Sequence, residues 1–166
     1  MTTPAWLTRK RFALVASEFH RPITQVLIRG AERALLRHGV PPGAIERYWV
    51  PGAFELPVAA ARLAASSRRR PSAIIALGVL VRGQTRQHEV LAQAVAQGLE
   101  QIAIQRLLPV TSGVVLAESL AQARARAGGR EGNRGAEAAL AALAVLRVFA
   151  TITGRRSAAA RRRRRR

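Results

Sequence analysis

The chain has 166 residues, a length that suits one domain with a full core and no need of disulfide or metal staples. It contains no cysteine, which excludes a disulfide framework and a thiolate metal site. Its formal net charge is +19, with all but one of the 28 basic residues being arginine and no aspartate at all, so the charge reads either as compositional bias or as affinity for a polyanion.

Residues 1–11 form an N-terminal arm whose sizeable apolar groups are Trp6 and Leu7, which a neighbouring subunit could cover. The run Phe12 to Ala16 is too short for the apolar region of a secretory leader and reads as a first strand, ending at Ser17-Glu18-Phe19-His20. Pro22 suits the first turn of a helix with Ile23, Val26, Leu27, Ala31, Ala34 and Leu35 on one face, closed by Gly39. A turn at Pro41-Pro42-Gly43 leads to a second strand, Ile45 to Val50. After Pro51-Gly52-Ala53-Phe54-Glu55 a helix starts at Leu56-Pro57, and Ser66 to Pro71 is a basic connector.

The apolar run Ala73 to Val81 predicts a buried strand that ends in the polar turn Arg82-Gly83-Gln84-Thr85. Val90, Leu91, Ala94, Val95, Leu99 and Ile102 then keep the spacing of one helix face. A strand's carboxyl end meeting a helix's amino end is an anion site in an open α/β sheet, and His88 places a titratable group in the first helical turn. A fourth strand is predicted over Val110 to Leu116, a short helix over Glu118 to Ala127, and a last helix from about Asn133. Strands alternating with helices of this length predict a parallel four-stranded sheet covered on both faces. The late apolar run, Ala138 to Ala150, is broken by Arg147 and falls short of the ~20 residues of a membrane span, so a soluble, cytoplasmic protein is expected.

Three blocks are distinctive in their joint order: VPGAFELP (50–57), GVLVRGQT (78–85) and RAGGREGNRGAEAA (126–139). Together they make the stretch from Phe12 to Val148 resemble the 6,7-dimethyl-8-ribityllumazine synthases of riboflavin biosynthesis. The resemblance implies a flavodoxin-like three-layer αβα sandwich over 12–150, assembled as homopentamers with active sites between subunits. It implies condensation of 5-amino-6-(D-ribitylamino)uracil with 3,4-dihydroxy-2-butanone 4-phosphate, with no metal and no redox cofactor. Phe19 then takes the stacking position, and Ala53, Phe54 and Glu55 contact the ring and ribityl chain. Val79, Leu80 and Val81 present backbone groups to the pyrimidine, Gln84 and Thr85 form the phosphate turn, and Arg126 binds phosphate. Glu55 has a second reading, as an acid favourable to its helix dipole.

Two positions depart from the family pattern. The usual histidine slot, two residues after the threonine, holds Gln87, and His88 follows one residue later. Glutamine carries no proton in the useful range, whereas histidine as a residue type titrates near neutrality. One helical position turns a side chain by about 100°, so His88 reads either as a shifted proton shuttle or as a solvated helix residue. Ser112 stands where a phenylalanine usually closes the neighbouring subunit's pocket, which weakens the expected grip on the ring.

Residues 151–166 are expected to be a disordered tail, because their like charges repel. Arg161, Arg162, Arg163, Arg164, Arg165 and Arg166 are candidate contacts to nucleic acid or another polyanion through phosphate neutralisation. The family's larger members close sixty subunits into a shell, and a tail facing its lumen gives the alternative function: a weakly active or inactive shell that packages such cargo.

Overall fold

Burial along the two central strands alternates between two apolar clusters, one on each face of the sheet. Side chains two residues apart share a face of a strand, so a strand buried on both sides feeds two cores. The structure is a computed structural model that describes the backbone of residues 5–163 and the side chains of 6–153. Its elements are β1 (Phe12–Ser17), α1 (Arg21–Arg37), β2 (Ile45–Val50), α2 (Leu56–Ala64), β3 (Ala73–Val81), α3 (Gln87–Arg106), β4 (Val110–Ala117), α4 (Leu120–Arg126) and α5 (Arg134–Arg163). All strands pair in parallel in the order β2-β1-β3-β4, with Phe12 beside both Ile45 and Ala73, and Ile74 beside Val110.

Phe12, Leu14, Ile75 and Leu77 pack with α1 and α5 on one face, while Val15, Ile74 and Ala76 pack with α2 and α3 on the other. This is the three-layer αβα sandwich predicted, and the β2, β3 and β4 runs lie within one residue of their expected limits. The order reverses direction at β1 and β3, the place where open α/β sheets put their ligands.

α1 and α5 approach closely because glycines stand where they meet. A Cβ on Gly135 would lie 2.2 Å from the Leu27 carbonyl oxygen, and one on Gly30 would lie 2.1 Å from Asn133 Oδ1. Asn133 ties this junction: its side-chain amide donates to the carbonyls of Val26 and Ala127, each at 3.1 Å, and its Oδ1 accepts the Ala136 N–H at 2.9 Å. Much of the 126–139 block is therefore packing chemistry.

The backbone of α5 runs to Arg163, since alanine and arginine are both strong helix formers. Arg161 to Arg163 thus lie on a helical backbone, and Arg164, Arg165 and Arg166 lie outside the described residues. Within it, Arg134–Thr153 is long and apolar enough to cross a membrane by length and composition alone. Its inward face is nevertheless occupied, since Ala138, Ala139, Ala142, Leu143 and Leu146 are buried in the core against the sheet.

Candidate active site

The carboxyl ends of β1, β2 and β3 surround a hollow of about 320 Å³. Phe19 reaches it from the turn after β1, Gly52, Ala53 and Phe54 from the turn after β2, and Val79, Leu80 and Val81 from the end of β3. Gly83 and Thr85 of the polar turn, and Gln87, His88 and Leu91 of α3, close the remaining side. Phe19 and Phe54 are 66% and 60% exposed, so two aromatic rings present open faces at its mouth. Leaving such surface in water is unfavourable, and a bound ring or a second subunit would cover it.

Each turn is fixed locally. His20 adopts a left-handed conformation (φ 58°, ψ 37°) as the residue before α1, which turns Phe19 outward beside it with ring centroids 4.6 Å apart. Histidine is one of the few residue types besides glycine that are enriched in this conformation. Glu55 Oε2 accepts the Gly52 N–H at 2.8 Å and so braces the turn after β2. At the head of α3, the Gln87 N–H points to Thr85 Oγ1 at 3.5 Å, a long contact that leaves the threonine hydroxyl available.

His88 lies on the wall of the hollow, one residue after the slot where the family pattern has its histidine. It is 6% exposed, and its Nδ1 is buried without a hydrogen-bond partner. A buried polar atom without a partner is unfavourable, and this Nδ1 is closed off from solvent while another part of the ring lines the hollow. Gln87 also reaches the wall but is exposed to solvent.

The structure thus brings together Phe19, Ala53, Phe54, Val79, Leu80, Val81, Thr85 and His88. It does not bring in Gln84, Glu55, Ser112 or Arg126. Glu55 is engaged by its own turn, and Ser112 lies on β4 with its hydroxyl accepting the Val114 N–H at 3.3 Å. Arg126, at the end of α4, lines a separate hollow with Glu118, Gln122 and Arg130. Gly52, Gly83 and Leu91 were not singled out from the sequence; Leu91 follows His88 by three residues, a spacing that places both on one helix face. Beyond β3, Arg82 pairs with Glu118 at 2.9 Å, and this hydrogen bond with its attendant charge raises the guanidinium above its ordinary value.

Residues 9–150 match the family model for 6,7-dimethyl-8-ribityllumazine synthase. The chain belongs to this family. A 6,7-dimethyl-8-ribityllumazine synthase of Xanthomonas euvesicatoria is 45% identical over 142 residues, covering 86% of this chain and 91% of the relative. One of Xanthomonas oryzae is 46% identical over 139 residues, covering 84% and 89%, and one of Leuconostoc mesenteroides is 37% identical over 145 residues, covering 87% and 92%. The lumazine synthase match contains every residue of the hollow as well as Arg126, and ends before the arginine-rich segment.

Proposed function

We infer that the chain joins 5-amino-6-(D-ribitylamino)uracil to 3,4-dihydroxy-2-butanone 4-phosphate, giving 6,7-dimethyl-8-ribityllumazine, phosphate and water. The observation that carries this reading is His88, nearly buried in a hollow with two open aromatic faces and a polar turn at a helix amino end. The amine of the pyrimidine attacks the ketone, and imine formation expels water. Phosphate then leaves, and ring closure expels a second water.

In this sequence of steps Phe19 and Phe54 hold the pyrimidine on apolar faces, and the Val79 to Val81 backbone meets its polar edge. Thr85, at the amino end of α3, receives the phosphate, where free N–H groups and the helix dipole favour an anion. His88 moves the protons from the wall of the hollow. Glu55 acts indirectly, by holding Gly52 and its neighbours in place. Orientation of two bound substrates supplies much of the acceleration in such a condensation, so the reaction tolerates the loss of a closing aromatic at Ser112.

Arg126 and Ser112 lie outside the hollow of their own subunit, which supports a site completed by a second copy. The assembly is read as a homopentamer working in the cytoplasm; native mass measurement distinguishes it from a sixty-subunit shell. Nothing among the described residues favours a polyanion-packaging shell without catalysis. The deciding experiment follows lumazine formation above the uncatalysed background in the intact protein and in His88→Ala. A large fall in the variant is expected; no turnover above background in either would overturn the enzymatic reading.

A further inference from the structure

We propose that the carboxyl end of α2 carries a second anion site, built by Arg62, Arg68 and Arg69, that takes an oligophosphate group. A hollow of about 430 Å³ lies there, lined by these three arginines, Ser66, Ser67 and Tyr48 among others, with no carboxylate in its wall. None of the three guanidiniums is held by an ion pair or a side-chain hydrogen bond among the described residues.

The convergence has a local cause. α2 closes with the Ala65 N–H on the Ala61 carbonyl, and the Ser66 N–H then donates to the Leu63 carbonyl at 3.2 Å. Ser66 Oγ accepts the Arg69 N–H at 3.2 Å, which folds the basic connector back toward Arg62 instead of letting it run into solvent. Arg70 is fastened separately, to the Arg106 carbonyl. The acid on the adjoining strand, Glu46, is already paired with Arg11 and accepts the Tyr48 hydroxyl, so it neutralises none of the three.

A basic residue in the last turn of a helix complements its dipole, and Arg62 alone needs no other explanation. Arg68 and Arg69 lie beyond the helix, and with Arg62 they line one hollow with their side chains in solvent, so an anion seated there would meet three cations at once. A single phosphate group, at about −2, leaves one guanidinium uncompensated, whereas a chain of phosphates matches three forks. The site is distinct from the catalytic hollow: α2 starts beside that hollow and runs nine residues, about 13 Å, to the opposite edge of the sheet.

The test is an arginine-modification footprint of the full chain with phenylglyoxal, read by peptide mass mapping with inorganic triphosphate, a nucleoside triphosphate or orthophosphate present. Triphosphate is expected to slow modification of Arg62, Arg68 and Arg69 several-fold more than that of Arg29 and Arg33 on α1, and orthophosphate to do so weakly. Equal protection by the two triphosphates assigns recognition to the phosphate chain alone; stronger protection by the nucleoside form adds the nucleoside to the ligand. The variant R68Q/R69Q is expected to lose this protection, with triphosphate affinity falling about tenfold or more and lumazine formation unchanged. Uniform protection of all arginines, stronger protection by a duplex oligonucleotide than by triphosphate, or unaltered affinity in the variant would each overturn the proposal.

Discussion

Gln87 and His88 stand side by side at the head of α3, and only the histidine has a proton to exchange. On the proposed function, its place on the wall of the hollow makes it the group whose removal the chemistry would feel. Removing a positioned general acid or base costs about 10²–10⁴-fold in rate, so His88→Ala is expected to lower kcat by about a hundred-fold or more. Gln87→Ala is expected to change kcat less than threefold, and steady-state assays with both substrates saturating separate the two. A variant pair with equal losses would remove the special role of His88. Ser17 offers the opposite case: its hydroxyl is wholly buried at the end of β1 and has no partner. Ser17→Ala takes away an unsatisfied group without opening a large void, so stability should hold or rise by up to about 1 kcal/mol. A clear loss in chemical denaturation would mean that the hydroxyl is satisfied in the working enzyme.

At the scale of elements, the two central strands were legible as apolar runs, Phe12 to Ala16 and Ala73 to Val81, that end at Ser17 and at the polar turn from Arg82. The α1–α5 junction was legible only as a motif, since nothing in the pattern of Asn133 and Gly135 reveals that a backbone carbonyl 107 residues away will accept from that asparagine. Gly135→Ala pushes a Cβ to 2.2 Å from the Leu27 carbonyl oxygen, and backbone yields less than a side chain. A loss of about 2–3 kcal/mol is expected, read as a lowered denaturation midpoint; an unchanged midpoint would show that the helices separate freely. The far end of α3 predicts a gain instead. Leu107 closes that helix in a left-handed conformation (φ 47°, ψ 51°) while 79% exposed, so it is strained and its side chain is mostly in water. Leu107→Gly should raise stability by about 0.5–1 kcal/mol in the isolated subunit, unless a second copy covers that leucine. At the end of α5 two tendencies compete, charge repulsion along the arginine run and the helix propensity of alanine and arginine.

For the whole molecule, the decisive issue is whether one chain contains a complete site. The sequence joined Phe19, Phe54, Thr85 and Arg126 through a shared family pattern, but a pattern does not say which copy supplies each residue. The fold separates them: the hollow gathers the first three with His88, while Arg126 faces another concavity at the end of α4. In a closed ring each subunit would lend its Arg126 to the hollow of a neighbour, a head-to-tail arrangement that cyclic symmetry permits. Arg126→Ala alone should then raise the apparent KM for the phosphate substrate more than that for the pyrimidine. Co-assembly gives a sharper test. When His88→Ala and Arg126→Ala chains are unfolded, mixed equally and refolded into rings, random neighbours restore an intact pair in about a quarter of the sites. At a phosphate-substrate concentration below the raised KM, activity near that fraction of the wild-type rate, well above that of either variant assembled alone, requires the two residues to act across a subunit boundary. Activity no greater than the mean of the separate variants would place both residues in one chain's site, and the reading of Arg126 as a neighbour's contribution would fall.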